Sequence, residues 1–461
     1  MLVARVRAKE TTASALARES LSRIERLDPA LRTVVTLCPD RALDRARALD
    51  QAEGARGLPL FGVPILVKDN QDVAGIRTSH GSALFDEVPV ARTTDRGPAL
   101  LEAAGAVIVG KTNLPELASE GYTANPRFGA TANPWNTSWN AGGSSGGSAA
   151  ALVSGLCAAV TGTDGGGSIR IPAAFCGLLG LKPTLGGIGR HPIPAWMDMS
   201  TDGILAQTAD DLGLLYSLLA GPAEGDYTGG MGLSAVSGGG HDPRATRLVP
   251  VRRFVGTASL PAAVETAYSG ALEGLAEALC APVAQPPSLL LATIGNPDCD
   301  WFLMSTTEQA WALGEETLVG RGAEMDPVIH RYLRQGLRTT TADYIAARRR
   351  RYAYSAALDG LLSEGAVLVS PTVTVEGLGI TGSMPGRDRP GTRLNAFNTM
   401  LPNLTGHPAI SLPAGTLPNG LPFGLQLIAR RGEDELLIAL ARAWERAHPW
   451  PLTAPGFELF E

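Results

Sequence analysis

Lysine is almost missing from this chain of 461 residues: Lys9, Lys68, Lys111 and Lys182 are the only four, and arginine carries the rest of the positive charge. Cysteine is scarce as well. Cys38, Cys157, Cys176, Cys280 and Cys299 are scattered, odd in number and without metal-type spacing, so they read as reduced thiols of a cytoplasmic protein. The six histidines stand singly, with no HxxxH or HxxE cluster to hold a metal. No apolar run reaches the length of a membrane span, and Met1–Lys9 shows no secretory signal. A net charge of −6 exerts no general pull on nucleic acid. The one basic run, Arg348–Arg351, falls in a helical stretch and reads as a solvated helix face. What remains is 44% hydrophobic and 18% charged, the balance of a well-buried globular chain.

Strand-like and helical patterns alternate along it. Residues 11–27 bring Ala13, Leu16, Ala17, Leu21, Ile24 and Leu27 near one helical face, and 39–52 continue as a second alanine-rich helix. Leu58–Val67 is a strand candidate ending at Lys68-Asp69-Asn70, followed by helix at 99–104 and strand at 106–109. The Gly-dense stretch 221–243 is the best linker candidate. Beyond it come a strand near 248–255, helices at 262–280 and through roughly 303–363, strands at 366–369, 409–412 and 423–428, and a closing helix at 433–446. This pattern predicts an α/β fold with a mixed, mostly parallel central sheet covered by helices on both faces. Apolar strands on both sides of the helical middle predict one large domain, 1–461, with 221–365 inserted as a variable helical segment.

Two serines set in glycine stand out: Ser144 in Ala-Gly-Gly-Ser-Ser-Gly-Gly-Ser (141–148) and Ser168 in Thr-Asp-Gly-Gly-Gly-Ser-Ile-Arg (163–170). Between them runs an apolar, alanine-rich stretch, 149–160, that reads as a buried helix or strand, so the two loops are no flexible linker. Glycine lets backbone approach a ligand and lets successive N–H groups converge on one point. A hydroxyl beside such a cluster offers acyl transfer both a nucleophile and oxyanion donors. With Ser168 as nucleophile a base is needed, and no histidine falls in a motif such as G-x-S-x-G. Lys68, at the end of an apolar strand, is the better candidate. Desolvation lowers a lysine's pKa, and among strong cations only lysine gives up its proton near neutrality.

These residues resemble the amidase signature family of serine hydrolases. The match runs through Lys68-Asp69, 142–147, 163–170 and Phe175–Thr184, and extends to 203–206, Asn403–Pro413 and Gly420–Gln426, a core of about 55–220 and 365–450. The resemblance implies a Ser–cis-Ser–Lys triad on Ser168, Ser144 and Lys68, with the cis bond at Gly143–Ser144. It implies an oxyanion hole from the backbone N–H groups of Gly165, Gly166, Gly167 and Ser168. Asp164 and Arg170 bracket that loop and are expected to pair in its support. The expected reaction hydrolyses a small-molecule amide to acid and ammonia or amine through an acyl-enzyme, with no cofactor, metal, nucleic acid or membrane. Two rivals stand beside it. One is the glutamine-hydrolysing component of a tRNA-dependent amidotransferase, which usually has glutamine where Ile171 stands and differs over 300–360. The other is a catalytically silent scaffold, which the filled triad positions disfavour.

Other features are discounted. Gly105–Thr112 matches the P-loop pattern, but its Ala-Val-Ile-Val centre should itself be strand. Lys111 and Lys182 read as organisers of neighbouring loops, and Cys157 and Cys176 as core thiols. Specificity is expected from the loops 119–140, 188–202 and 380–402, which show no charge-specific clamp. One or two of Tyr122, Phe128, Trp135, Trp139 and Trp196 are candidates to line an acyl or amine pocket. Oligomeric state stays open, a homodimer included.

Overall fold

The computed structural model describes residues 10–230, 246–256, 258–285, 291–362, 365–383 and 397–460. Ten strands form its central sheet: β1 (Val34–Leu37), β2 (Pro64–Lys68), β3 (Val107–Thr112), β4 (Ala159–Asp164), β5 (Leu179–Lys182), β6 (Thr201–Ala206), β7 (Arg247–Pro250), β8 (Ala366–Pro371), β9 (Ala409–Thr416) and β10 (Pro422–Ile428). Their spatial order is β1-β3-β2-β4-β6-β5-β9-β10-β8-β7. Every residue of β2, β3, β4, β5, β8 and β10 is buried, so these strands need cover on both faces. The P-loop-like stretch is β3, a strand and no phosphate loop.

The sheet is mixed, as expected. Parallel pairing is confined to β3-β2-β4 and to β8-β7, and the other neighbours are antiparallel. The parallel share is smaller than strand–helix alternation suggests. β9 and β10 are joined by a tight turn, which makes them antiparallel neighbours, and β5 and β6 also pair antiparallel. Strands from the two ends of the chain meet where β5 pairs with β9. The expected insertion, 221–365, is not purely helical: β7 borders the sheet with Arg247 opposite Ala366. Of the linker candidate, 231–243 lies outside the described residues, while Asp226 just before it is buried and paired with Arg190 at 3.1 Å.

The basic run is not a solvated face. Arg348 and Arg351 pair with Asp198 at 2.9 and 2.7 Å, and Arg350 with Asp300 at 2.5 Å. These pairs fasten the helix Thr341–Leu361 to the 198 loop and to the helix Pro297–Leu313. Their acidic partners lie far away in sequence, where a local reading cannot find them. Among the described residues no helix is long and apolar enough to cross a membrane.

Because β3, β2 and β4 run parallel, Thr112, Lys68 and Asp164 end at one edge of the sheet. β6 runs the other way and begins there, with Thr201 opposite Asp164 and Asp202 opposite Thr163. Loops beyond strand carboxyl ends are where α/β sheets build their crevices. Both serine-bearing loops lead into short helices here, Gly146–Val153 and Arg170–Cys176, each buried along its whole length. Glycine makes the second fit closely: a Cβ on Gly180 would overlap Ala173, and one on Gly424 would overlap Ala174. Gly424→Ala should therefore destabilise the fold by about 1–3 kcal/mol, the usual cost of overpacking. An unchanged urea midpoint would show that the helix is not so tightly bedded.

Candidate active site

Lys68 is the last residue of β2, wholly buried, and its Nζ donates to Ser144 Oγ at 2.8 Å and Thr163 Oγ1 at 2.9 Å. It makes no ion pair among the described residues. Burial lowers its pKa to about 7, outweighing the nearby charges of Asp164 and Asp202, which act the other way. A lysine so placed is readily neutral, and the 2.8 Å contact can then carry a proton from Ser144 to Nζ. The Gly143–Ser144 peptide is cis, and the Ser145 N–H donates to the Ser168 carbonyl at 3.0 Å, which holds the two serine loops side by side.

The loop after β4 is shaped by Asp164. Its carboxylate accepts from the Gly167 N–H at 2.7 Å, the Ile169 N–H at 3.2 Å, and Arg170 Nε and Nη2 at 2.9 Å. Burial alone would raise the Asp164 pKa, but Arg170, Lys182 and the Asn403 hydrogen bond reverse this and hold it at about 2. Arg170 is itself buried and reaches Gln426 Oε1 at 2.8 Å and Asn403 Oδ1 at 2.6 Å. Asn403 Nδ2 returns to the Asp164 carbonyl at 2.8 Å. Asp164 and Arg170 thus pair as expected, within a network that draws on both ends of the chain.

One oxyanion expectation changes. The Gly167 N–H is already given to Asp164, because the backbone turns there with φ +126°. Gly165, Gly166 and Ser168 remain as candidate donors. The carbonyls of Gly165 and Gly166 are fastened from above by Trp301 Nε1 and Thr399 Oγ1, each at 2.6 Å. A Cβ on Gly165 or Gly166 would drive into the Trp196 or Trp301 ring, which explains the run of glycine. Those two rings meet edge to face, 5.6 Å between centroids.

Ser168 lies at the meeting of two cavities. One, about 280 Å³, is apolar and walled by Ile171, Trp196, Trp301, Phe302, Phe397 and Met400. The other, about 380 Å³, is polar and includes Ser144, Thr163, Gln71, Asp95 and Asp202. Parts of all three expected specificity loops line them, although 384–396 lies outside the described residues. Of the aromatic candidates Trp196 borders both cavities, whereas Trp135 lies elsewhere and donates to the Cys176 carbonyl at 2.8 Å. Cys157 and Cys176 are buried, and burial pushes their thiols well above the ordinary range. Lys111 pairs with Asp69 at 2.7 Å and so orders the loop after β2.

Several residues of this arrangement escaped the sequence reading. Thr163, Asn403 and Gln426 lay within the motifs but had no role there. Trp301 and Thr399 offered no signal, since nothing in a helical stretch marks a ring that will cap a distant glycine.

Comparison with known proteins agrees with this geometry. The Amidase family model matches residues 15–438. AmiA2 of Mycobacterium tuberculosis, named as an amidase, is 35% identical over 97% of this chain and 92% of its own length. The GatA-type component of the glutamyl-tRNA(Gln) amidotransferase of Thermosynechococcus vestitus is 33% identical over 97% of each. Among solved structures, a bacterial aryl acylamidase of the amidase signature family superposes with a TM-score of 0.87 at 26% identity, covering 97% of this chain and 95% of that one.

The buried pair yields a prediction. Arg170→Met leaves Asp164 ionised with its counter-charge removed, and the cost should be about 3–5 kcal/mol. Thermal unfolding unchanged from wild type would refute the supporting role assigned to the pair.

Proposed function

This chain belongs to the amidase signature family and is an amide-hydrolysing enzyme; on that footing we propose that it cleaves a small carboxylic amide through an acyl-enzyme on Ser168. Lys68 is the observation that carries this reading: a buried lysine, without an ion pair among the described residues, 2.8 Å from the hydroxyl of Ser144. Ser168 Oγ attacks the carbonyl carbon while its proton passes to Ser144, and the proton of Ser144 passes to Lys68. The N–H groups of Gly165, Gly166 and Ser168 receive the oxyanion, each such donor being worth about 3 kcal/mol. The C–N bond breaks as Ser144 protonates the departing nitrogen and Lys68 returns a proton to Ser144. Water then attacks the ester by the same relay and releases the acid. No step calls on a cofactor, and the reduced thiols suit a cytoplasmic setting.

The proton route also orients the substrate. Ser144 lines the polar cavity and not the apolar one. The nitrogen it protonates therefore lies on the polar side, which leaves the apolar cavity to the acyl group. Glutamine hydrolysis for a partner protein is the second reading, favoured by the amidotransferase relative. Its acyl group would carry an α-carboxylate, yet the described lining of the apolar cavity contains no lysine, arginine or histidine, and Ile171 is part of that wall. A free-standing amidase fits better.

Two measurements test the reading. A fluorophosphonate should label Ser168 stoichiometrically, and Lys68→Ala should abolish the labelling and lower kcat/KM about 10²–10⁴-fold. Labelling of folded Lys68→Ala at the wild-type rate would remove the base. Only the neutral amine accepts a proton, so with a Lys68 pKa of about 7 the activity should rise with pH through neutrality and level off once the lysine is neutral. A flat or falling profile between about pH 6 and pH 8 would contradict the role.

A further inference from the structure

The polar cavity gathers three carboxylates among side chains that also include Asn70, Gln71, Arg190, His191 and Gln309. Asp72, Asp95 and Asp202 all line it, and they lie near enough for the charges of Asp72 and Asp202 to disfavour ionisation of Asp95. Among the described residues neither Asp95 nor Asp202 forms an ion pair. The arginines and the lysine around them are committed elsewhere. Arg190 is held by Asp226 at 3.1 Å and by the Ser200 carbonyl at 2.5 Å; Arg96 donates to the carbonyls of Gly189 and Leu219 at 3.2 and 2.9 Å; Lys68 is turned to Ser144. His80 is kept neutral, its pKa lowered by burial to about 4. Burial raises Asp95 to about 7 and Asp202 to about 6, outweighing the attraction of Lys111 for Asp95 and of Arg190, Arg96 and Lys68 for Asp202.

An independent feature points the same way. Gln71, only 4% exposed, lines this cavity with its Oε1 buried and without a hydrogen-bond partner. A buried acceptor left unmade is costly, so such an atom marks a place for a donor. Asp202 reaches the cavity because β6 begins at the edge where β2 and β4 end, opposite Thr163. Asp95 comes from a loop more than a hundred residues earlier, so no contiguous stretch displays the pair.

Resting on the amidase reading, and on the leaving nitrogen lying in this cavity, we propose that the leaving amine carries a second, cationic nitrogen. Asp95 and Asp202 hold that ammonium or guanidinium group, and Gln71 Oε1 accepts one of its N–H bonds. The preferred substrate class is then an apolar acyl group joined in amide linkage to a diamine or comparable cationic amine. A hydrogen-bonded ion pair in a partly dry cavity is where such recognition gains most.

The experiment compares hexanoyl amides of α,ω-diaminoalkanes of two to five carbons with hexanoyl amides of n-alkylamines matched in length, plus hexanamide itself. At one or more chain lengths kcat/KM should favour the ammonium substrate at least tenfold. Asp202→Asn, with Asp95→Asn as the second variant, should bring that ratio toward one in protein whose Ser168 still takes the fluorophosphonate label. A wild-type ratio of one or less at every length, with hexanamide or the alkylamides turned over, overturns this inference and leaves the amidase reading standing. A preference unchanged in both labelled variants overturns the assignment to these carboxylates. Turnover of none of the amides, with Ser168 unlabelled, overturns the amidase reading and this inference with it.

Discussion

The site depends on how two buried carboxylates are paired with buried cations. Asp164 is taken by Arg170 at 2.9 Å and Asp69 by Lys111 at 2.7 Å, all four side chains being essentially without solvent. Lys68 directly precedes Asp69 in sequence, yet its Nζ donates to Ser144 and Thr163 and pairs with neither carboxylate. Asp164 attracts the protonated form of Lys68, and Arg170 beside it offsets that attraction. The two ion pairs are therefore more than local supports. By occupying the acids they leave desolvation as the largest influence on Lys68, whose pKa falls to about 7. The scarcity of lysine acquires a physical sense here, because an arginine in place of Lys68 could not surrender its proton.

Around that charge arrangement the backbone of the Gly165–Ser168 loop is fixed from three sides. Asp164 takes the Gly167 and Ile169 N–H groups from within, Trp301 and Thr399 hold the carbonyls of Gly165 and Gly166, and Arg170 anchors the following helix to Gln426 on β10. Preorganised donors stabilise a developing charge only if they need not reorient as it forms. A loop of bare glycine would ordinarily be the most mobile part of a fold. Here it is clamped by side chains from distant helices and strands, 136 residues away for Trp301 and 256 for Gln426, so its rigidity belongs to the tertiary structure.

This division explains what could be read from the sequence and what could not. β2 and β3 were legible because strands buried on both faces are continuous apolar runs, and the serines because glycine clusters inside apolar sequence are unusual; β4, Ala-Val-Thr-Gly-Thr-Asp, is buried without such a run and was not read as a strand. The elements that act on the relay occupy short windows: 64–68, 142–148 and 163–170. The arginines at 348–351 were misread because their partners, Asp198 and Asp300, are distant in sequence and a charge run shows only its own composition. The Gly167 N–H was misassigned for a related reason. A run of glycines shows that N–H groups can converge, but which of them is diverted to a neighbouring carboxylate depends on the φ of each residue.

The same contrast separates chemistry from selectivity. Ser168 borders both cavities, and in the proposed mechanism the relay fixes which of them receives the leaving nitrogen, since the proton is delivered from the side where Ser144 lies. Orientation of the amide is thus a consequence of the catalytic windows alone. The walls are not: Trp301 and Phe397 on one side, Gln71, Asp95 and Asp202 on the other, and Trp196 between them come from elements scattered over three hundred residues. Replacing a wall residue leaves the relay's hydrogen bonds intact, whereas replacing Arg170 removes the partner of Asp164, whose charge favours the protonated form of Lys68. A fold built this way can hold one reaction constant while its two chambers diverge independently, one toward the acyl group and one toward the amine.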